Sequence, residues 1–397
     1  MSDSLGGSAV ITENPLGSAD VGKLMRKFAV PSIISMLVTS IYNIVDQLFI
    51  GQAVGALGNA ATNIAFPLTL ICLSMSLMFG IGGAACFNLH MGAGEKKKAP
   101  YFIGNAFTML LICGVIIFLV TELFLPQILT AFGSPDEVLP YAMEYVGITG
   151  IGYPFMVIFV GCGHLVRADG SPGKAMFFNM SGAIINIFLD FLFTMVWRWG
   201  IAGAAYATVI GQVFSAVLSI LYMTRYKTVQ LGLKHLVPRL KSVGKIASLG
   251  VSSFINQISM MIIQIVTNNL LKKYGAISVY GSSIPIACAG IVMKINQIVF
   301  GIVIGTAQGC QPIFSFNYGA KKYSRVRSAY IRAIIIGVIV SVIFFIMIQI
   351  FPRQIFGAFA NGTEPEEYYI YGSRYLRTFL MFVYLSALQP VTNTFFS

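Results

Sequence analysis

The sequence predicts an all-α polytopic membrane protein. It reads as two six-helix bundles related by a pseudo-two-fold axis along the membrane normal, with about ten spans present and the last two missing. Three observations carry this reading. The 397 residues are 56% hydrophobic and only 10% charged, with a mean hydropathy of +0.80, where a soluble domain carries about 25% charged residues. Apolar runs of about 20 residues recur along the chain, each long enough to cross a bilayer core. Blocks of the first half reappear in the second at offsets of 221 to 230 residues, the mark of a duplicated unit.

Residues 1–22 are polar and include Glu13 and Asp20, so they read as a cytoplasmic tail and not as a cleavable signal peptide. Spans follow at about 27–50, 59–90, 101–121, 138–160, 172–197 and 201–224, which form the first lobe, 23–224. A basic linker, 225–245, leads to spans at about 247–271, 278–315, 328–351 and 366–388, helices seven to ten of an incomplete second lobe, 246–397. The run 278–315 is too long for one straight span; Pro285, Gly290, Gly301, Gly305 and Pro312 predict kinks, tilt or an extension beyond the bilayer.

A net charge of +12 invites a nucleic-acid reading. Its distribution argues otherwise, because Lys and Arg concentrate in alternate loops, as membrane topology requires. Nineteen fall near 23–27, 96–98, 167–174, 225–245 and 321–332, against six on the other side. The first set is therefore cytoplasmic, and so is the N-terminus. Trp197 and Trp199 flank Arg198 as an aromatic belt at the outer end of the fifth span. The six cysteines show no CxxC or ligand spacing, so no disulfide framework, zinc or other cofactor is implied.

The repeat is specific. "MGAGEKKKA" (91–99) returns as "YGAKKYSRV" (318–326), and "SPDEVLPYAMEY" (134–145) as "EPEEYYIYGSRY" (364–375). An even number of spans per unit gives both copies the same orientation. The first unit runs to about residue 224, so the second is expected to run to about 454; the expectation is a truncated twelve-span design, with a genuine ten-span variant as the alternative.

Of fourteen acidic residues, Asp46 and Asp190 alone lie well inside spans, with Glu122 and Glu144 near outer ends; the second half has none inside a span. At 1.5 Å per residue, Asp190 sits about 10 Å from Trp197. Asp46 precedes the end of the first span by five residues, Thr208 lies eight residues into the sixth, and Asn186 is one turn below Asp190. Asp46, Asn186, Asp190 and Thr208 can thus share one level. An aspartate at a helix centre costs roughly 2.5–3.5 kcal/mol, and intramembrane acids are functional by default. Two carboxylates beside an amide and a hydroxyl can exchange a proton or hold a hard monovalent cation such as sodium; cross-linking helices by hydrogen bonds is the structural alternative.

Lys294 is the other intramembrane charge, a candidate for a substrate cavity or for snorkelling. Asn256, Gln257, Gln264, Asn268 and Asn269 on the seventh span, with Tyr42 and Asn43 on the first, are further cavity candidates; interhelical hydrogen bonding explains such residues equally well. His90, His164 and His235 stand alone and are given no catalytic part. The Asn361-Gly-Thr sequon carries weight only in a eukaryote.

The stretches "ENPLGSADVGKLMRKFAVPSIISMLVTSIYNIVDQLFIGQ" (13–52), "RADGSPGKAMFFNMSGAIINIFLDFLF" (167–193), "GIAGAAYATVIGQ" (200–212) and "GTAQGCQPIFSFNYGAKKYSRV" (305–326) together resemble the multidrug and toxic compound extrusion (MATE) transporters, particularly their bacterial MepA-like branch. The resemblance implies two six-helix bundles around a central cavity, and antiport in which cationic or amphipathic drugs leave as protons or sodium ions enter. The family's first-lobe ion site matches at Asp46, Asn186, Asp190 and Thr208, whereas the second-lobe acids of some branches have no counterpart here. It implies a monomer in a bacterial plasma membrane, in contact with lipid, with small-molecule substrates, no nucleic acid and no cofactor beyond the coupling ion. Two other readings are a lipid-linked oligosaccharide flippase of the same broad fold, which would carry more basic cavity residues than Lys294, and an intramembrane aspartate enzyme, for which no GxGD-type motif is present.

Overall fold

The computed structural model describes residues 14–134, 136–277, 283–357, 366–385 and 387–396. Helix α1 (Val21–Ala53) starts where the Asp20 carboxylate accepts from the Lys23 amide at 3.0 Å, a side-chain cap for one of the orphan first-turn N–H groups. A corner at Gly55, whose φ of 77° suits glycine, leads into α2 (Ala56–Gly92). Helices α3 (Ala99–Leu123), α4 (Leu139–Ala168) and α5 (Pro172–Asp190) each carry proline in the first turn, where its missing N–H costs nothing. A π-helical turn, Phe191–Val196, extends α5, and the chain reverses into α6 (Gly200–Met223). Beyond the linker come α7 (Leu240–Ala276), α8 (Ser283–Gly319), α9 (Tyr323–Ile350) and α10 (Glu366–Phe379).

Among the described residues nine helices are long and apolar enough to cross a membrane. A tenth span forms if Glu366–Leu385 and Leu388–Phe396, bent by 43°, count together. The duplication is visible in the helices: α2 and α8 both have 37 residues and begin 227 apart, as do the short helices Leu125–Ala131 and Pro352–Gly357. Pro135 and residues 358–365, which hold part of the second sequence match and the Asn361 sequon, lie outside the described residues.

Several helices run past the ends expected from hydropathy. Helix α4 continues to Ala168 instead of stopping near 160, so Arg167, expected in a basic loop, is buried at 5% exposure in its last turn. There its cation sits at a helix C-terminus and donates to Gln308 Oε1 on α8 at 3.3 Å. Of the long run expected near 278–315, the described residues form one continuous helix from Ser283, α8, with Pro312 inside it.

Lipid is as apolar as leucine, so helices associate through close packing and hydrogen bonds rather than through water exclusion. Small residues therefore mark the contacts. In the first lobe Gly80 meets the backbone of Gly161, and Gly114 that of Pro154. Fully buried Phe87, Ile103, Leu110 and Leu165 fill the space around them, and a second cluster, with Cys288, Val292, Ile348 and Phe356, fills the second lobe.

The lobes meet through α1 on α8, α2 on α7 and α2 on α8. At the end bearing the basic loops, Gly82 lies on the Ile246 carbonyl and Gly250 on that of Met78; Gly92 lies on the Phe316 carbonyl and Gly319 on that of Leu89. The segment before α1 is clasped as well: Leu16 O accepts from Asn317 at 2.9 Å, Gly17 O from Lys322 at 2.9 Å and Ala19 O from Arg325 at 2.5 Å. The linker is pinned to the first lobe. Asn105 on α3 donates to His235 O and Val237 O and accepts from the Arg239 amide, all within 3.0 Å. Asp169 accepts from Tyr222 Oη at 2.7 Å and from the amides of Lys227 and Thr228 at 2.8 Å.

Candidate functional site

Helices α1, α5 and α6 converge inside the first lobe. Asp46 lies in the last third of α1, Asn186 and Asp190 one turn apart at the end of α5, and Thr208 in the third turn of α6. Asp190 has no exposed surface and Asn186 only 2%. The structure brings all four together. The Asn186 amide donates to Thr208 Oγ1 at 3.4 Å, one turn below the Asp190 carboxyl group, which neighbours that of Asp46. A hydrogen bond between two carboxyl groups needs a proton to share. Without one, Asp46 Oδ1, both Asp190 oxygens and Asn186 Oδ1 are buried acceptors with no donor.

Local structure favours this placement. Asp190 is the last α-helical residue of α5, and the π turn begins at the next position. Thr194 Oγ1 donates to the Asp190 carbonyl at 2.5 Å. Single π turns inside α-helices gather at functional sites, because the extra residue re-aims the side chains around it. Further along the same turn, Phe193, Trp197 and Trp199 stack with ring centroids 4.8 to 5.1 Å apart. Phe49 and Phe191 meet at 6.3 Å beside the carboxylates.

Donor-free oxygens at this density suit a positively charged guest. A carboxylate and an amide oxygen accept and cannot donate, so a proton or a hard cation with oxygen preference would satisfy them. Asp46, Asn186 and Asp190 would supply the ligands for sodium, with Thr208 beside them.

Below the aspartates is a small cavity of about 30 Å³, lined by Tyr42, Asn179, Asn186, Thr208, Gln212 and Ser215, among others. Tyr42 is on its wall. Asn43, Asn256 and Lys294 are half-buried and do not line it, and the side chains of Gln264 and Asn268 on α7 lie outside the described residues. Sequence reasoning passed over Asn179, Gln212 and Ser215. Their signal was spacing: 179, 186 and 190 on α5, and 208, 212 and 215 on α6, share faces of their helices.

Comparison with known proteins identifies the frame. A family model described as MatE matches residues 31–192 and 249–397, well over half of the chain. The chain belongs to the MatE family. It is a membrane transporter and not an enzyme. Its MatE relatives include the multidrug export protein MepA of Staphylococcus haemolyticus (strain JCSC1435), 26% identical over 323 residues, 81% of this chain and 70% of that one. MepA of Staphylococcus aureus (strain NCTC 8325 / PS 47) is 27% identical over 319 residues, 80% of this chain and 69% of the relative. Among solved structures, an outward-facing multidrug resistance MATE transporter of the MOP superfamily superposes with a TM-score of 0.88 at 22% identity, covering 96% of this chain and 83% of that one. A MOP superfamily transporter from Pyrococcus furiosus, described as having a binding pocket of reversed polarity, gives 0.87 at 21%. The MatE fold thus extends over nearly the whole chain.

Proposed function

We propose that this MatE chain is an ion-coupled antiporter that exports cationic or amphipathic drugs by alternating access as protons or sodium ions enter through the first lobe. The observation that carries the reading is the set of donor-free buried oxygens on Asp46, Asn186 and Asp190. Burying such groups without a partner costs about 1–3 kcal/mol each, a cost that a bound cation or proton removes. Helix α1 links this site to the lobe interface, because Asp46 faces α5 while the same helix packs at Ala29 and Ile33 on Gly309 and Gly305 of α8. Ion occupancy can therefore change how α1 is shared between the lobes. The MepA relatives, named as multidrug exporters, support the substrate class.

With the basic loops cytoplasmic, the lobes here are closed toward the cytoplasm of a bacterial cell, and the chain acts as a monomer. The test is dye efflux from cells or proteoliposomes bearing the full chain, under an imposed proton or sodium gradient. Asp190→Asn should abolish gradient-driven efflux at normal expression, and Thr208→Val should weaken it less. Unimpaired, gradient-dependent efflux by Asp190→Asn would refute the assignment.

A further inference from the structure

The basic linker is fastened to the side of a membrane helix. Asn105 on α3 holds the His235 and Val237 carbonyls, and Thr108 Oγ1 donates to the Leu236 carbonyl at 2.7 Å. Gly104 lets the chain lie close, since a Cβ there would collide with the His235 carbonyl. Residues 104, 105 and 108 share one face of α3. That face continues through Ile112, Val115 and Leu119, all exposed on a helix long and apolar enough to cross a membrane. The linker therefore lies across the lipid-facing stripe of α3, one turn below the point where the stripe becomes bare.

The depth of this contact can be read along α3. Its exposed apolar positions end at Leu123, and a hydrocarbon core of about 30 Å measured from there reaches back about 20 residues, to the level of Ile103. The contacts at 104–108 thus fall at the inner edge of the core. Tyr101 sits just below, at the level where tyrosines mark the membrane interface, and the Arg239 guanidinium lies 3.7 Å from the centroid of its ring. The side that the linker turns outward has the composition of an interfacial segment. Leu233, Val237 and Leu240 are 84%, 62% and 91% exposed, apolar surface that a leaflet would cover. Arg225, Lys227, Lys234, Arg239, Lys241 and Lys245 are all exposed as well. Residues 225–245 contain no acid, and among the described residues none of the six cations forms a salt bridge. Glu95, in the basic loop before α3, is already paired with Lys98 at 3.0 Å.

We propose that the linker between the lobes is a seat for anionic lipid: Leu233, Val237 and Leu240 enter the cytoplasmic leaflet beside α3, and Lys234, Arg239 and Lys241 hold the phosphate groups of anionic headgroups. Apolar side chains at the acyl boundary with cations at headgroup level are what such a leaflet attracts. The depth of the contact favours lipid over an acidic soluble protein, which would have to displace the bilayer to reach Val237. The hydrogen bonds from Asn105 and Thr108 fix the linker backbone in advance, so little ordering remains for the lipid to impose. The inference does not depend on which ion drives transport.

Two measurements on the full chain test the proposal. In micelles holding equal phosphatidylglycerol and phosphatidylcholine, native mass spectrometry of the wild type should show phosphatidylglycerol retained in preference. The combined variant Lys234→Gln, Arg239→Gln and Lys241→Gln should lower that preference at least tenfold, because each cation near an anionic surface contributes roughly fivefold. Its thermal midpoint in neutral lipid should match the wild type, since all three side chains are exposed. An unchanged preference in the variant would overturn the proposal, as would displacement of the lipid by millimolar inorganic phosphate, which would mark a site for the free anion. Depth is read separately in nanodiscs, with a bimane label on Val237→Cys after the native cysteines are replaced. Lipid brominated on its acyl chains should quench the label severalfold more than aqueous iodide does. Quenching by iodide alone would place the linker in water and overturn the seat.

Discussion

Replacing Asp190 by asparagine separates an ion site from structural cross-linking. The change is isosteric and removes the buried carboxylate. It introduces an amide with two N–H donors where Asp46 Oδ1 and Asn186 Oδ1 have none. Two new hydrogen bonds at about 0.5–1.5 kcal/mol each give a gain of about 1–3 kcal/mol, in addition to the relief of a buried charge without a counter-ion. Thermal unfolding of the detergent-purified full chain at neutral pH should therefore show Asp190→Asn as stable as the wild type or more so, with a higher midpoint. A group whose partners are all supplied by the protein behaves in the opposite way. Had Asp190 been a satisfied strut between helices, the substitution would cost stability. A lowered midpoint, equivalent to a loss of about 1 kcal/mol or more, would refute the reasoning.

Asp169 provides the contrasting case, because its carboxylate is satisfied by Tyr222 and by the Lys227 and Thr228 amides. Asp169→Ala should destabilise the fold by about 3–5 kcal/mol, read by the same unfolding assay, and should expose the linker to limited proteolysis. Gly82→Leu or Gly250→Leu would drive a side chain into a facing backbone carbonyl, so either should prevent closure at the basic end. Maleimide labelling of Cys86, which is 2% exposed on α2, should rise severalfold when the other five cysteines have been replaced. The Lys23 amide holds the Asp20 carboxyl group below the ordinary carboxylate range. Its cap is therefore fully present above the unfolded value near pH 4 and is lost as pH falls through the lower folded value. Asp20→Ala should remove that acid-dependent part of the stability profile and leave the profile above pH 5 unchanged in shape.

The helices were legible because a bilayer demands long apolar runs, and the duplication because its basic loop motif is repeated at the same offset as α2 and α8. Helix ends were less legible. Arg167 reads as a loop cation by charge alone, and its burial depends on Gln308, 141 residues away. Asp46 and Asp190 announced themselves, since a carboxylate inside a span is expensive, and Asn186 and Thr208 followed by depth. The cavity lining below them was quieter. Neutral residues such as Gln212 and Ser215 cost little in a helix, and their common face matters only once the cavity between α1, α5 and α6 exists. The π turn after Asp190 left no sign in the residue pattern, and the importance of Asp169 depends on contacts 53 to 59 residues away.

Ion release on substrate binding reads the coupling without a gradient or a membrane. The purified full chain in lightly buffered detergent is titrated with tetraphenylphosphonium, while a pH electrode and a sodium-selective electrode follow the solution. Wild-type protein should release its coupling ion, proton or sodium, as the cation binds, and Asp190→Asn should bind the cation without releasing either. Release by Asp190→Asn equal to that of the wild type would contradict a site built on Asp46 and Asp190.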